Sequence, residues 1–111
     1  MTYKKMENKK IQIVKDYFAA WETGRKKLLN LASNLIFTSP DDSFSSSTDF
    51  LSKCWQYHGL KYENMRFISE RNVVCVTYEI TESDGKRFKN CEWITIENGE
   101  NSEIIVFYGS K

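Results

Sequence analysis

The amino-acid sequence predicts an α+β domain in which three helical segments come first and an antiparallel sheet follows. Before Gly59 the apolar residues recur with a helical period, and after it they recur with a period of two. The later segments are joined by the short links "RN", "ESDG" and "NGEN". Because parallel neighbours need longer crossovers, these links favour antiparallel pairing, with the helices packed on one face of the sheet.

The first helix is indicated by apolar residues at i, i+3, i+7 and i+10, which are Ile11, Val14, Phe18 and Trp21. Tyr17 lies beside this stripe, and Gly24 interrupts the pattern. "RKKLLNLAS" is expected to form a second, short helix. "NLIFTSP" then predicts a brief strand ended by Pro40, because proline restricts the residue before it to extended backbone.

The third helix is expected over "TDFLSKCWQYH", after the polar, loop-like stretch "DDSFSSS". Ser47 or Thr48 is suited to cap its N-terminus, and Gly59 is the expected C-cap. Four strands with alternating apolar residues follow: "LKYENMRFISE", "NVVCVTYEIT", "KRFKNCEWITIE" and "SEIIVFYG".

Several of these strands are apolar on both faces, so the sheet has a second apolar surface to cover. Once the helices cover one face, Trp93, Ile105 and Phe107 remain on the other. Large exposed apolar patches usually mark interfaces. The sequence therefore predicts a homodimer through the outer face of the sheet.

Length and charge restrict the class of protein. The chain has 111 residues, of which 41% are hydrophobic, enough for a single domain over residues 1–111 with its core in about 11–109. Sixteen basic and fifteen acidic residues leave a net charge of +1, which argues against a nucleic-acid-binding protein. No segment approaches the roughly 20 apolar residues of a membrane span, and the N-terminus lacks the apolar stretch of a signal peptide.

Cysteine and histidine usage indicates a reducing compartment. Cys54, Cys75 and Cys91 are widely spaced with no CxxC pair, and are expected to be small buried hydrophobic residues. The only histidine of the sequence is His58, which makes a zinc site unfavourable. We therefore expect a cytoplasmic protein without a metal ion or a cofactor.

Four stretches in this order give the chain a family resemblance: "VKDYFAAWETG", "NLIFTSP", "TDFLSKCW" after a small-residue loop, and "WITIENGENSEIIVFYG". Over about residues 11–109 the sequence resembles the nuclear transport factor 2-like superfamily, particularly its SnoaL-like polyketide cyclase and ketosteroid isomerase branches. The resemblance implies a cystatin-like, cone-shaped antiparallel sheet curved around three helices. It also implies a mostly apolar pocket at the open end of the cone, and dimers through the outer sheet face.

The resemblance implies roles for two residues in that pocket. In the isomerase branch, a tyrosine of helix one and an acid of a late strand donate hydrogen bonds to a developing enolate. Tyr17 matches the tyrosine position and Glu92, within "NCEWITI", matches the acid position. The general base of the branch is an aspartate before the proline of the short strand, where this sequence has Ser39. A serine hydroxyl without an activating partner is no base, so the steroid-isomerase mechanism is not supported.

Other residues are expected to form the wall or rim of the pocket and to contact a ligand: Phe18, Trp21, Ser39, Asp42, Trp55, Tyr78 and Tyr108. Three roles remain open for Glu92. It is a structural or ligand-orienting acid that pairs with Tyr17 or Asn90, a catalytic acid or base, or a residue of a strand whose register has been misread by one position.

Three functions are compatible with these residues. The first is a domain that binds a small apolar or carbonyl-containing molecule, which Tyr17 and Glu92 orient. The second is a SnoaL-like isomerase, cyclase or dehydratase that acts on a carbonyl compound by proton transfer. The third is a protein-interaction adaptor. A fold does not decide among them, so the function has to come from the site.

Overall fold

The computed structural model describes the backbone of residues 2–108 and the side chains of residues 8–107. Within the described backbone there are two α-helices, α1 (Thr2–Thr23) and α2 (Ser47–Cys54), and six strands. The strands are β1 (Leu31–Thr38), β2 (Ser43–Phe44), β3 (Tyr62–Glu70), β4 (Val73–Thr81), β5 (Arg87–Glu97) and β6 (Glu100–Tyr108). They form a single sheet in the order β2-β1-β6-β5-β4-β3.

The expected α+β architecture is confirmed. The expected number of three helices is wrong, because the described residues form two α-helices. The segment "RKKLLNLAS" contains only a 3₁₀ turn at Lys26–Leu28, and β1 begins at Leu31. Asn30 has a positive φ of 51°, and Asn101 Nδ2 donates to the carbonyl of Leu29 at 2.9 Å. These backbone groups therefore bind strand β6 instead of continuing a helix, so the strand expected over "NLIFTSP" begins three residues earlier.

The third helix of the prediction is present but shorter. It begins after Ser46, whose side chain accepts a hydrogen bond from the Asp49 amide at 3.1 Å, and it gives way to a 3₁₀ turn at Trp55–Tyr57. Gly59, with φ of 96°, then donates its amide to the Trp21 carbonyl at 2.6 Å. This bond ties the end of the helical turn to α1.

The antiparallel meander β3-β4-β5-β6 is confirmed, with boundaries within two residues of the expected ones. The expectation of a wholly antiparallel sheet is wrong, because β1 runs parallel to β6. A parallel neighbour requires a long connection, and the chain from β1 to β6 supplies one through α2 and the meander.

The core lies between α1, α2 and the inner face of the sheet. Alternate residues of the central strands are buried there: Val74, Val76, Tyr78, Ile80, Ile94, Ile96, Ile104 and Val106. From the helices, Val14, Phe18 and Phe50 pack against them. The outer face retains half-exposed Trp93 and Phe107, at 48% and 52%, as expected from the two-faced strands.

No described helix of the chain is long and apolar enough to span a membrane.

Candidate functional site

A cavity of about 200 Å³, the inner cavity, lies between α1, α2 and the inner face of the sheet. Its wall is mostly aromatic: Tyr17, Trp21, Phe37, Phe50, Tyr57, Tyr62 and Tyr78. Cys54, Leu60, Asn90, Val106 and Glu92 complete the described lining. Glu92 is the one Asp or Glu in this lining, which includes no Lys, Arg or His.

Strand alternation turns Glu92 toward this cavity. The residue shares the inner face of β5 with Ile94 and Ile96, and it pairs across the sheet with Val76 and Val106. These four neighbours are apolar and buried, so Glu92 is only 6% exposed. A carboxylate in such surroundings must find hydrogen-bond donors or take up a proton.

One oxygen of Glu92 has a donor and the other does not. Glu92 Oε2 accepts a hydrogen bond from Tyr78 Oη, and Asn90 Nδ2 donates in turn to Tyr78 Oη at a long 3.5 Å. Glu92 Oε1 is buried and has no hydrogen-bond partner among the described residues. The donor to Glu92 is therefore Tyr78, where the sequence pointed to Tyr17 or Asn90.

Burial governs the protonation of the site. Loss of water around Glu92 raises the pKa of its carboxyl from 4.5 to about 7, and the hydrogen bond from Tyr78 opposes part of that rise. Burial, followed by the nearby charge of Glu92, raises the pKa values of Tyr17, Tyr62 and Tyr78 far above that of a free phenol. At neutral pH Tyr17, Tyr62 and Tyr78 are therefore protonated, and the carboxyl group of Glu92 is close to its midpoint.

The aromatic wall is held by edge-on and tilted ring contacts. Tyr17 meets Trp21 with ring centroids 6.2 Å apart, and Tyr62 meets Tyr78 at 5.0 Å. Phe18 lies behind them, 5.1 Å from the ring of Tyr62 and 5.3 Å from that of Tyr78. Each ring pair of this kind stabilises the wall by about 0.5–1.5 kcal/mol beyond the burial of its area.

Four of the residues expected in the pocket line the inner cavity: Tyr17, Trp21, Tyr78 and Glu92. Phe18 and Trp55 are outside the lining and support it, Trp55 through a tilted contact with Trp21 at 4.9 Å. The side chain of Tyr108 lies outside the described residues.

Ser39 and Asp42, also expected to contact a ligand, are used elsewhere in the fold. Ser39 Oγ accepts hydrogen bonds from the amides of Asp41 and Asp42, at 3.3 and 3.1 Å, within its own turn. Asp42 forms an ion pair with Lys53 of α2. Neither lines the inner cavity, so neither complements Glu92 there.

Tyr62 is the main lining residue that the sequence reasoning missed. Asn64, with φ of 54°, lies at an irregularity in the pairing of β3 with β4 between Glu63 and Arg66. Because such a bulge shifts the alternation by one residue, Tyr62 faces inward together with Phe67 although their numbers differ in parity. In the structure the positive φ of Asn64 marks the bulge. In the sequence the only sign of it is an asparagine within a predicted strand, which does not by itself predict a bulge.

A second depression of about 710 Å³ opens beside β3, β4 and β5, next to Arg66, Thr77 and Lys89. Neither of the buried, unpartnered polar atoms of the described residues lies in its lining. It is also bordered by exposed residues of the outer face. The inner cavity is therefore the better candidate for a site.

Metal binding does not account for the inner cavity. Among the described residues, no three His, Cys, Asp or Glu side chains come together as a metal would require. The three cysteines are free thiols and are partly rather than fully buried. Cys75 Sγ and Cys91 Sγ lie 3.5 Å apart, and burial raises the pKa of Cys91 to about 11.

The architecture is that of the nuclear transport factor 2-like fold. A nuclear transport factor 2-like protein of unknown function from Cytophaga hutchinsonii superposes with a TM-score of 0.79 and 22% identity, covering 90% of this chain and 89% of its own. A provisionally named ketosteroid isomerase from Kribbella flavida gives 0.84 and 14%, covering 95% and 81%. A provisionally named polyketide cyclase from Xanthomonas campestris gives 0.80 and 12%, covering 93% and 92%.

No family model matches the sequence, and no curated protein is recognisably similar to it. At these identities the structural similarity establishes the fold that the four sequence stretches predicted. The chemistry has to be inferred from the cavity.

Proposed function

We propose that this protein binds a small molecule in the inner cavity, with Glu92 orienting one hydrogen-bonding group of the ligand. The observation that carries the proposal is the buried, unpartnered Oε1 of Glu92, a residue of the cavity lining. A buried acceptor left without a partner costs about 1–3 kcal/mol, and more when it is charged. A ligand that donates to Oε1 recovers that cost on binding.

The size of the cavity limits the ligand. Drug-sized ligands use pockets of roughly 300–1,000 Å³, and an apolar cavity of about 150 Å³ is enough for benzene. At about 200 Å³, the inner cavity is suited to a single ring or a short branched chain with one polar group. The aromatic wall favours an apolar or aromatic ligand body, and Tyr17 is placed to contact it from α1.

Proton transfer on a small carbonyl compound is the second candidate, and one observation favours it. A carboxyl group with a pKa of about 7 both gives and takes a proton readily near neutral pH. In this second candidate function Glu92 acts first as base and then as acid, because the Ser39 hydroxyl is already hydrogen-bonded to the amides of Asp41 and Asp42. Tyr17, which remains protonated, would donate to the carbonyl oxygen of the substrate.

We also propose that two copies of the chain associate through the outer face of the sheet. Trp93 and Ile105 pair directly across β5 and β6, and Cys91 pairs with Phe107 beside them. Trp93, Phe107 and the 72% exposed Ile68 present apolar surface on a face that neither described helix covers. Burying this surface in a symmetric interface removes it from water.

Binding is tested by nuclear magnetic resonance with neutral probes. Benzyl alcohol and benzaldehyde fit the volume and differ in their polar group, which is a donor in one and only an acceptor in the other. The proposal predicts that at least one probe shifts the ring resonances of Tyr17, Tyr62 and Tyr78, and that Trp93 on the outer face serves as an unshifted reference. Shifts confined to the outer face would contradict binding in the inner cavity, as would the absence of shifts with these two probes and with benzylamine at millimolar concentration.

Turnover is tested separately from binding. Proton exchange at the α-carbon of a bound ketone in deuterated water, followed by mass spectrometry, reports proton transfer directly. The enzymatic version predicts exchange that is lost in Glu92→Gln and retained in Glu97→Gln, a matched change at an exposed position of the same strand. Binding without exchange leaves the first function standing and rejects the second.

A further inference from the structure

We propose that the ligand of the inner cavity is a small organic ammonium ion, whose N–H groups bind Glu92 Oε1 and whose charge lies against the aromatic wall. This inference rests on the proposed function and narrows it from any small molecule to one class. It depends on three features of the cavity: the direction of the hydrogen bonds to Glu92, the lack of a positively charged side chain in the described lining, and the aromatic rings of the wall.

The hydrogen bonds around Glu92 run toward the carboxyl group. Asn90 Nδ2 donates to Tyr78 Oη, and Tyr78 Oη donates to Glu92 Oε2. A donor to a carboxyl oxygen stabilises the ionised form, and a hydrogen bond to that donor's oxygen strengthens it further. The hydrogen bonds to Glu92 therefore favour its ionised form, while burial opposes ionisation.

This anion has no counter-charge within the described lining. The titratable groups that face the cavity are Tyr17 from α1, Cys54 from α2, Tyr57 from the following turn, Tyr62 from β3 and Tyr78 from β4. Phenols and thiols are neutral or negative and never positive. Since an isolated buried carboxylate is costly, a cationic ligand supplies the charge that the protein lacks at this place.

The aromatic wall also attracts a cation, in addition to the carboxylate of Glu92. A cation within about 6 Å of the face of a tyrosine, tryptophan or phenylalanine ring is attracted by its negative face, most strongly when water is excluded. Seven aromatic side chains line the same cavity as Glu92. Cages of aromatic side chains are a recognised way of binding quaternary ammonium groups.

A neutral ligand interacts less favourably with Glu92 and with the aromatic wall than an ammonium ion does. A carbonyl ligand would require Glu92 to carry its proton on Oε1 and donate it, and it would gain little from the ring faces. An alcohol would satisfy Oε1 but would leave the negative charge unbalanced. These alternatives make the inference testable with three probes of nearly equal size: benzylamine, benzyl alcohol and benzaldehyde.

The test is isothermal titration calorimetry of the full chain with each probe at pH 8 and pH 6. Benzylamine is an ammonium ion at both values. We expect it to bind roughly 10- to 100-fold more tightly than benzyl alcohol at pH 8, because a charge-assisted hydrogen bond and cation–π contacts replace a neutral hydrogen bond. Between pH 8 and pH 6 its affinity should fall about tenfold, since only the ionised fraction of Glu92 is competent to bind.

Two variants distinguish the contribution of the Glu92 carboxylate to binding from that of the other residues of the cavity. Glu92→Gln keeps the shape of the side chain and should remove the preference for benzylamine over benzyl alcohol, while Glu97→Gln on the same strand should retain it. If Glu92→Gln does not fold, the wild-type protein still provides a test. Titration at pH 6 in buffers of different ionisation enthalpy should show nearly one proton released per benzylamine. Fewer should be released per benzyl alcohol, because its hydroxyl can also accept a hydrogen bond from the protonated carboxyl.

The outcomes distinguish the inference from the function on which it rests. Benzyl alcohol or benzaldehyde binding as tightly as benzylamine would overturn the ammonium inference and leave small-molecule binding intact. An amine affinity that is unchanged in Glu92→Gln, or the absence of proton release at pH 6, would also overturn it. Failure of all three probes to bind would overturn the proposed function as well.

Discussion

Replacing Glu92 by glutamine should change how the stability of the protein depends on pH. Burial raises the pKa of this carboxyl from 4.5 to about 7, so the folded protein holds a proton that the unfolded chain has already released between those values. The free energy of unfolding of the wild type therefore falls as pH rises from about 4.5 to about 7, and it levels off above that range. Glutamine does not titrate, so the variant lacks this component.

The size of this change in unfolding free energy follows from the pKa shift of Glu92. A rise of roughly 2.5 pKa units at about 1.4 kcal/mol per unit corresponds to about 3 kcal/mol. The difference in the free energy of unfolding, wild type minus Glu92→Gln, should thus decrease by about 3 kcal/mol between pH 4 and pH 8. This is a large fraction of the usual stability of a domain, so it is well above the error of the measurement.

Urea unfolding followed by tryptophan fluorescence at several pH values measures this difference. Glu97→Gln, an exposed change on the same strand, serves as the control and should follow the wild type. A difference between wild type and Glu92→Gln that stays constant from pH 4 to pH 8 would refute the reasoning, because it would mean that Glu92 titrates alike in the folded and unfolded states.

Three further predictions concern the contacts around the site and the outer face. Tyr78→Phe removes the donor to Glu92 Oε2, so the pKa of Glu92 should rise above about 7, as measured by carbon-13 resonance of its carboxyl group; an unchanged or lowered pKa would contradict the hydrogen bond. Asn101→Ala leaves the buried Leu29 carbonyl, just before β1, without its side-chain donor and should cost about 1–3 kcal/mol of unfolding free energy, whereas a cost near zero would show that this bond contributes nothing. Light scattering should detect a dimer at micromolar concentration that Trp93→Lys converts to a monomer; a wild-type monomer at high micromolar concentration would exclude the interface.

The strands were predictable because the signal for them is local. Alternation of apolar residues and the short turns between them place β3 to β6 within two residues, and the same alternation turns Glu92 inward. The inward position of Glu92 was therefore accessible from "NCEWITI" alone. Its neighbours on other strands were not, because register between strands depends on contacts far apart in the chain.

The failures come from such distant contacts. "RKKLLNLAS" has residues suited to a helix, yet the side chain of Asn101 donates to the carbonyls of Leu29 and Asn30, which lie 72 and 71 positions before it, and the segment from Leu31 joins the sheet. Tyr62 reaches the inner cavity only because β3 bulges at Asn64. Tyr78, and not Tyr17, donates to Glu92 because β4 and β5 are adjacent, with Tyr78 opposite Asn90 and Glu92 opposite Val76.

The ionisation of Glu92 in the free and ligand-bound protein tests the account most directly. A carbon-13 titration of its carboxyl group should give a midpoint near pH 7 in the free protein, and saturating benzylamine should lower that midpoint by about one unit or more. A midpoint near 4.5 in the free protein would contradict the burial of Glu92. A midpoint near 7 that none of the three probes changes would contradict its role in binding a ligand.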